Sequence, residues 1–334
     1  MLRKMATSTA FLPGSDLLDP LVSLAQEFRQ GLEELTEDAE SALSGRHFIF
    51  SRYGKELYPY FEDADATTVP GCIVPIKEGR PVASVDSTCV LIGETTDGAL
   101  YAARTAVGVS LEGSLRKFVR LGPLLVYVTA SGMSGLRSEL SSPELGFLLA
   151  DHTMAERVIR NIVERRVIGS LLLSGGPIIV LADGSLKHPM GQFSGSIQGL
   201  ARERACLVGL SKWSNLIFSE DVMCSLTRAD GPVFHTTDSG GVRTVLAKFS
   251  ADGLVFRLDI DCQESTEAVL GRLLWNDSFP SGYPESLKAA HHLSVFSKAE
   301  DQALKALVTK RFKVKQLPTF TLRTIALGSF KGGA

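Results

Sequence analysis

The sequence contains no apolar run long enough to cross a bilayer. Its longest uncharged apolar stretch covers residues 167–182 and is interrupted by Gly175, Gly176 and Pro177. A membrane-spanning helix needs about 20 apolar residues, so none is predicted. Residues 1–13 also lack a continuous apolar segment and are a poor signal peptide. We therefore expect a soluble, cytoplasmic protein.

An excess of charge of one sign is also absent. The chain has 35 Lys and Arg against 37 Asp and Glu, for a net charge of −2. This near balance of charge excludes a wholly basic, histone-like nucleic-acid binder, but it allows a basic patch on one part of the surface. The 5 cysteines form no C-x-x-C pair, and an odd number does not suit a closed disulfide framework. Reduced thiols are expected.

Several common catalytic motifs are missing. The chain contains no phosphate-binding G-x-x-x-x-G-K-[ST] loop, no G-x-G-x-x-G after a strand, no G-x-S-x-G elbow and no H-E-x-x-H. ATP-driven work, dinucleotide chemistry and the commonest serine-hydrolase and zinc-protease mechanisms therefore lose support. Carboxylate chemistry is the class that remains.

The two ends of the chain have opposite charge patterns. Residues 19–43 are predicted to form a helix, because Asp19 is a favourable N-cap and apolar residues recur at helical spacing. Its outer face is acidic, which is typical of either a solvated face or a helix that contacts a partner or a second copy. After Asp301 the chain has 7 Lys or Arg and no acid. This end is either a solvated tail or one wall of a polyanion site.

The periodicity predicts a mixed α/β architecture, with an N-terminal helical and extended region over residues 1–80 and a compact domain over residues 81–334. Strands are predicted over residues 82–92, 99–109, 119–129, 178–182, 206–210, 233–236, 242–249 and 254–260. Helices are predicted over residues 143–173, 193–204, 265–275, 284–296 and 298–312. The first three strands should form an antiparallel meander, with Gly122-Pro123 interrupting the third.

Two predicted strands carry an acidic residue where apolar residues are expected. Asp86 lies within the run Val82–Thr88, and Asp183 ends the run Ile178–Asp183. A carboxylate in or beside a core is costly unless it is paired or binds a metal. Asp183 also has a simpler explanation, because Asp-Gly-Ser after a strand often forms a turn. Asp86 does not, because Asp is rare in the interior of strands. Together the two acids suggest a divalent-metal site, and oxygen ligands favour Mg²⁺ or Mn²⁺ over zinc.

The segments around these acids resemble the NurA family of nucleases. The resemblance rests on four stretches in register, which are Val85-Asp86-Ser87-Thr88, Leu181–Leu186, Val208–Ser214, and Gly282-Tyr283-Pro284 through Ala290-His291. The family usually has Gly at the position of Ser87. It implies an RNase H-like fold, a mixed sheet flanked by helices, here with additional β-hairpins and C-terminal helices. The two metal-binding strands of that fold lie side by side, so Asp86 and Asp183 should converge.

The same resemblance implies further site residues. A third acid comes from the helix before the second Asp, where Glu164 fits best and Glu156 is the alternative. Tyr283 and His291 match a Tyr and a His at the family's active site, with His291 as a metal or phosphate ligand. His292 should point about 100° away on the helix. Lys212 matches the family's Ser-Lys motif and could neutralise a phosphate or a transition-state oxygen.

The activity implied is a Mn²⁺- or Mg²⁺-dependent deoxyribonuclease that uses two ions about 4 Å apart. It implies 5′–3′ exonuclease and single-strand endonuclease activity in the resection of double-strand breaks, a homodimer, and partnership with a hexameric HerA-type helicase. Removal of Asp86 should then abolish cleavage and leave the fold intact. The alternative is a catalytically silent scaffold that binds DNA or the helicase. An RNase H-like enzyme that cuts RNA is a third possibility, although nothing in the sequence reads a 2′-hydroxyl.

Overall fold

A computed structural model describes most of the compact unit formed by residues 56–334. The described residues are 62–64, 70–94, 98–129, 132–134, 148, 152–173, 177–186, 205–212, 216–218, 220–237 and 242–312. The predicted helices over residues 19–43 and 193–204 lie outside these ranges. The proposed boundary near residue 80 stays a prediction.

The described residues form a large sheet and a small one, with helices on the faces of the large sheet. The first strands are β1 (Glu62–Ala64), β2 (Gly71–Cys72), β3 (Val82–Glu94), β4 (Gly98–Leu111), β5 (Ser114–Thr129) and β6 (Gly132–Ser134). Helix α1 (His152–Leu173), β7 (Ile178–Asp183), β8 (Ala205–Ser211), β9 (Leu216–Phe218) and α2 (Glu220–Arg228) follow. The remainder comprises β10 (Val233–Thr237), β11 (Arg243–Lys248), β12 (Val255–Asp261), α3 (Thr266–Asn276), a 3₁₀ turn (Pro280–Gly282), α4 (Glu285–Ser294) and α5 (Lys298–Phe312).

The strand order of the large sheet confirms the predicted fold class. The order is β2-β10-β11-β12-β8-β7-β3-β4-β5-β6. Strands β3, β4 and β5 form the predicted antiparallel meander, while β7 runs parallel to β3 and β8 runs parallel to β7. This arrangement is RNase H-like. The additional hairpin of β11 and β12 extends the sheet beyond β8.

Two helices cover opposite faces of this sheet. Alternate residues of β7 point to opposite sides because the side-chain period of a strand is two. Val180 and Ala182 pack in one apolar cluster with Ile168 of α1. Leu181 packs in a second cluster with Leu287 of α4. The even positions of β7 therefore face α1 and its odd positions face α4.

Three local features differ from the predictions. Strand β5 spans Gly122-Pro123 as one element, although these two residues are unpaired and the register with β4 shifts there, between Ala103 and Thr105; Gly122 has a positive φ of 101°. Helix α2 was not predicted, since its length of 9 residues gives little periodicity to detect. The expectation of reduced thiols fails at Cys206 and Cys262, which the β8–β12 pairing brings together in a disulfide.

Helix α4 lies directly on β4 at Gly108. A Cβ atom on Gly108 would stand 2.4 Å from the backbone oxygen of Ser286. The Ser286 hydroxyl also hydrogen-bonds the hydroxyl of Ser84 on β3, the cross-strand neighbour of Gly108. The missing side chain at position 108 thus sets how closely α4 approaches the sheet.

We expect Gly108→Ala to lower the free energy of unfolding by about 1–3 kcal/mol, the usual cost of overpacking. Neither Ser286 nor its helix can move away without losing the contact to Ser84. Urea unfolding measures the effect, and Gly93→Ala is the matched control because nothing lies within 4 Å of a Cβ there. Equal stability of the two variants would contradict the close approach.

Within the described part of the chain, none of the helices combines the length and hydrophobicity that crossing a membrane requires.

Candidate metal centre

Two neighbouring strands present their acids on the same face of the sheet. Val85 of β3 pairs with Ala182 of β7 in parallel register, so the next residues along each strand are Asp86 and Asp183. Both belong to the positions that face α4. Asp86 is 6% exposed, whereas Asp183, the last residue of β7, is half-buried. Asp86 is therefore the buried acid of this site, and Asp183 is the acid nearer to solvent.

Helix α4 supplies the third member of the group. The Nδ1 atom of His291 lies 2.8 Å from Oδ2 of Asp86, and the Ser294 hydroxyl donates to the same oxygen at 3.0 Å. One ligand atom each from Asp86, Asp183 and His291 lies within 4.8 Å of the other two. The fold thus brings together three residues that lie far apart in the sequence.

Nearby charges and hydrogen bonds set the protonation states of Asp86 and His291. Burial opposes ionisation of Asp86, but the hydrogen bonds from His291 and Ser294 and the nearby positive charges give a net lowering of its pKa. The hydrogen bond to Asp86 raises the pKa of His291 despite partial burial. The carboxylate of Asp86 is therefore held in its anionic form, as a metal ligand must be.

Glu164 approaches the acids from α1, on the other face of the sheet. Its side chain is 1% exposed, and its Oε1 atom has no hydrogen-bond partner among the described residues. Burial raises the pKa of Glu164 well above its usual value; Arg160 opposes this shift, and the charges of Asp86 and Asp183 add to it. Glu164 is thus electrostatically coupled to both aspartates, although it is not within the 4.8 Å group.

The two alternatives weighed from the sequence have different positions. The Glu156 carboxylate accepts a hydrogen bond from the backbone N–H of Leu91 at 2.8 Å, beside the register irregularity of β3. It therefore supports a strand rather than the site. His292 is exposed and lies outside the group of three ligands. Of the two adjacent histidines, His291 is the one that faces Asp86.

Lys212 and Tyr283 complete the rim of the site. Lys212 follows β8, and its Nζ atom lies 2.8 Å from Oδ2 of Asp183 and 5.5 Å from the centre of the Tyr283 ring. The Tyr283 hydroxyl is buried and has no hydrogen-bond partner among the described residues. Burial, with the charges of Asp183 and Asp86, raises the pKa of Tyr283, so it stays a neutral donor. Lys212 and Tyr283 thus lie beside the group of Asp86, Asp183 and His291, whereas Glu164 is linked to that group only through charge.

A buried ionic network anchors the turn that follows Asp183. Asp259 on β12 is fully buried and accepts hydrogen bonds from the Ser185 hydroxyl, from the backbone N–H of Leu186 at 2.9 Å and from Thr244 at 3.0 Å. Arg257 donates to it from Nε at 3.0 Å, and this guanidinium is itself 5% exposed. The network ties the turn to the α1 face of the sheet and so limits movement of Asp183.

The turn also depends on a glycine in the neighbouring strand. A Cβ atom on Gly209 of β8 would stand 2.5 Å from the backbone oxygen of Gly184. Gly184 itself has a positive φ of 118° and donates its N–H to the Leu210 carbonyl at 2.8 Å. The Asp-Gly-Ser sequence at the end of β7 therefore needs a glycine at position 184 for its positive φ and a glycine at position 209 for space.

Sequence reasoning did not identify Ser294 or Asp259. Asp259 lies within a predicted strand, so the criterion that selected Asp86 applies to it equally. That criterion detects buried acids, but it does not distinguish a metal ligand from an acid whose charge is balanced by hydrogen-bond donors of the protein itself. Ser294 carries no local signal, because its role depends on which helix packs over Asp86.

The donor set fits a divalent cation. It combines two carboxylates and an imidazole, which bind Mg²⁺, Mn²⁺ or related ions according to geometry. The Oε1 atom of Glu164 and the Tyr283 hydroxyl add two buried polar atoms without partners among the described residues. Such atoms in a native fold are usually explained by a ligand, an ion or water.

No protein-family profile and no curated protein matches this sequence. Among solved structures, the chain is similar to the NurA nuclease from Sulfolobus solfataricus, with 13% identity and a TM-score of 0.46, over 91% of this chain and 100% of that one. It is also similar to the catalytic domain of human endonuclease V, with 16% identity and a TM-score of 0.40, over 71% and 85% of the two chains. Endonuclease V from Bacillus subtilis matches with 11% identity and a TM-score of 0.35, over 70% and 83%.

Proposed function

We propose that this protein is a divalent-metal-dependent DNA nuclease that hydrolyses phosphodiester bonds. The observation that carries the proposal is the convergence of Asp86, Asp183 and His291 within 4.8 Å. In an RNase H-like sheet the acids come from the adjacent strands β3 and β7, and here both face the same helix. The four sequence stretches that resemble NurA nucleases surround the same group.

Each side chain of the site has a role that follows from its contacts. Asp86 and Asp183 would be the primary ligands of the cation, with His291 and Glu164 beside them. A bound divalent cation would neutralise charge at the scissile phosphate and lower the pKa of a water bound to it. His291 and Ser294 both donate to Oδ2 of Asp86 and thereby fix the orientation of its carboxylate.

Lys212 and Tyr283 are placed to contact the phosphate. Lys212 is half-exposed, so its ammonium can move from Asp183 to a phosphate oxygen of the substrate. Tyr283 keeps its proton and can donate to another oxygen. The Tyr283 ring also packs against the apolar cluster of Leu181 and Phe256, whereas Lys212 lies at the rim of the sheet.

The finer parts of the proposal rest on the resemblance of the sequence motifs. On that basis the site would hold two ions, with Mn²⁺ or Mg²⁺ as the natural ion. The activity would be 5′–3′ exonuclease and single-strand endonuclease cleavage in the resection of double-strand breaks. The protein would act in the cytoplasm as a homodimer, together with a HerA-type helicase.

Digestion of end-labelled single-stranded and duplex DNA tests the proposal. We expect shortening of the labelled strand with Mn²⁺ or Mg²⁺ and none with EDTA, because the site residues alone provide no strong nucleophile. Mn²⁺ binding measured by electron paramagnetic resonance should be tight and should disappear when Asp86 and Asp183 are both replaced. Absence of both cleavage and Mn²⁺ binding, with the helicase present, would instead support the silent scaffold.

A further inference from the structure

The first part of β5 is exposed on both sides. All of residues 114–123 are exposed, whereas β3 and β4 beside it are largely buried. In the described part of the chain, β5 pairs on its outer side only through Tyr127–Thr129 with β6. We call residues 114–123 the exposed β5 segment. No other described strand pairs with its outer backbone edge, and its side chains are exposed.

The composition of this segment is basic and aromatic. Arg116, Lys117 and Arg120 fall within five residues, and the whole of β5 contains no acid, although the chain has a net charge of −2. Phe118 lies between them and is 61% exposed. A basic patch with an interleaved aromatic residue is the usual surface for a nucleic-acid strand, with phosphates on the cations and a base on the ring.

These cations are available for a ligand. Lys117 has no ion-pair partner among the described residues. Arg116 lies 3.6 Å from Glu112 and Arg120 lies 3.7 Å from Glu300, and the side chains of both arginines are about half exposed. Exposed ion pairs of this kind contribute about 0–1 kcal/mol. They can therefore be exchanged for phosphate contacts at little cost.

The sheet register relates the segment to the metal centre. Asp86 pairs with Ala106, and Ala106 pairs with Arg120, so the three residues form one row across β3, β4 and β5. Paired residues point to the same face, and two strand spacings amount to about 10 Å. Arg120 therefore emerges on the face of Asp86, at about 10 Å in backbone position. Phe118 belongs to the same face, since it pairs with Gly108 in the row of Ser84.

Helix α4 lies between the segment and Asp183, and its outer side is also basic. It covers β4 at Gly108 and β3 at Asp86. Lys288 and His292 are exposed on this helix, one turn apart. Exposed basic side chains thus continue from Lys212 at the metal centre, over α4, to Arg120, whereas Lys117 pairs with Val109 and points to the other face of the sheet. Among the described residues beside this track, Glu285 is paired with Lys288 and Glu300 with Arg104.

We propose that the exposed β5 segment binds the nucleic-acid strand that is cut at the metal centre. Arg120 contacts one of its phosphates, and Phe118, on the same face, stacks on a base a few nucleotides from the scissile bond. This inference rests on the proposed nuclease function and adds to it a binding subsite about 10 Å from the acids.

A second copy of the chain fits this edge less well. Antiparallel pairing of two such segments about a two-fold axis would place the three cations of one opposite those of the other. Like charges directly opposite each other destabilise a strand pair, and basic residues on edge strands are a common means of preventing such pairing. The charge therefore favours a polyanion over self-association.

Binding of a fluorescent single-stranded oligonucleotide in EDTA, followed by anisotropy over a salt series, tests the subsite. The variant Arg120→Gln should weaken binding about 3-fold or more and reduce the slope of log affinity against log salt by about 0.7, for one lost phosphate contact, whereas Lys117→Gln on the other face should have a smaller effect. Phe118→Ala should weaken binding about 5-fold or more and leave the slope unchanged. The control Arg166→Gln/Arg228→Gln removes two exposed cations elsewhere and should change neither quantity.

Two outcomes would overturn the inference. One is that Arg120→Gln binds DNA with the affinity and salt slope of the control. The other is that light scattering shows the same variant to be a monomer and the wild type a dimer, which would make the segment a self-interface. Hydrolysis of bis(4-nitrophenyl) phosphate by the wild type with Mn²⁺ reports on the metal centre without DNA contacts. Failure of that reaction would count against the proposed function, whereas the binding series decides on the subsite.

Discussion

Replacing Asp86 with asparagine is expected to reduce DNA cleavage by about 10³-fold or more while the chain still folds. Asparagine keeps the shape of the side chain and an oxygen that accepts from Ser294, but it removes the charge that holds a divalent cation. Each tenfold in rate corresponds to about 1.4 kcal/mol of transition-state stabilisation, and a metal ion supplies several kcal/mol. Loss of the charge weakens the hydrogen bonds from His291 and Ser294 but also removes an anion near the buried Glu164; these effects oppose each other, so the free energy of unfolding should change little.

Initial rates on an end-labelled single strand with saturating Mn²⁺ measure this effect. Asp230→Asn makes the same chemical change at an exposed position before β10 and should cleave at the wild-type rate. Asparagine is preferable to alanine at position 86, because alanine would leave His291 and Ser294 without their acceptor. A folded Asp86→Asn variant that cleaves at the wild-type rate would rule out this carboxylate as the centre of the reaction.

The second large effect is on stability. Asp259→Asn should lower the free energy of unfolding by about 3–5 kcal/mol, because removing one partner of a buried ion pair leaves the other charge uncompensated. Arg257 would be that charge, since its guanidinium is buried and donates to both oxygens of Asp259. The turn after Asp183 would also lose its anchor at Ser185, so Mn²⁺ affinity should fall together with stability.

Urea unfolding of three variants separates the charge from the shape of this network. The double variant Arg257→Leu/Asp259→Leu removes both charges and should be more stable than Asp259→Asn, as apolar replacements of buried pairs often are. Asp252→Asn, in the exposed turn between β11 and β12, is the surface control and should lie within about 0.5 kcal/mol of wild type. A cost below about 1 kcal/mol for Asp259→Asn would show that the network contributes little.

Strand and helix positions followed from local patterns. The alternation and apolar runs identified β3, β4, β7, β8 and the β11–β12 hairpin, with ends that differ from the observed ones by a few residues. Helix α5 begins and ends where its spacing predicts, at Lys298 and Phe312. These elements bury a face or a whole strand, so their sequence carries the period of their structure.

The choice of the third acid could not be made in that way. Glu156 and Glu164 lie on the same helix, two turns apart, and have similar sequence surroundings. Only the packing of α1 on the sheet shows that Glu156 supports the backbone of Leu91, while Glu164 is buried next to the charges of Asp86 and Asp183. Two turns of helix correspond to about 11 Å, which is enough to move a carboxylate from the site to the edge of a strand.

The sequence by itself determined the α/β class, the two strands that end in or contain an acid, and the helix that begins just after Tyr283 and carries His291. Each of these depends on residues close together in the chain. Tertiary structure alone decided that Ser294 donates to Asp86, that Asp259 is met by protein donors, and that the basic part of β5 stays uncovered. Those outcomes depend on contacts between residues up to 208 positions apart, and such contacts are set by which faces pack together.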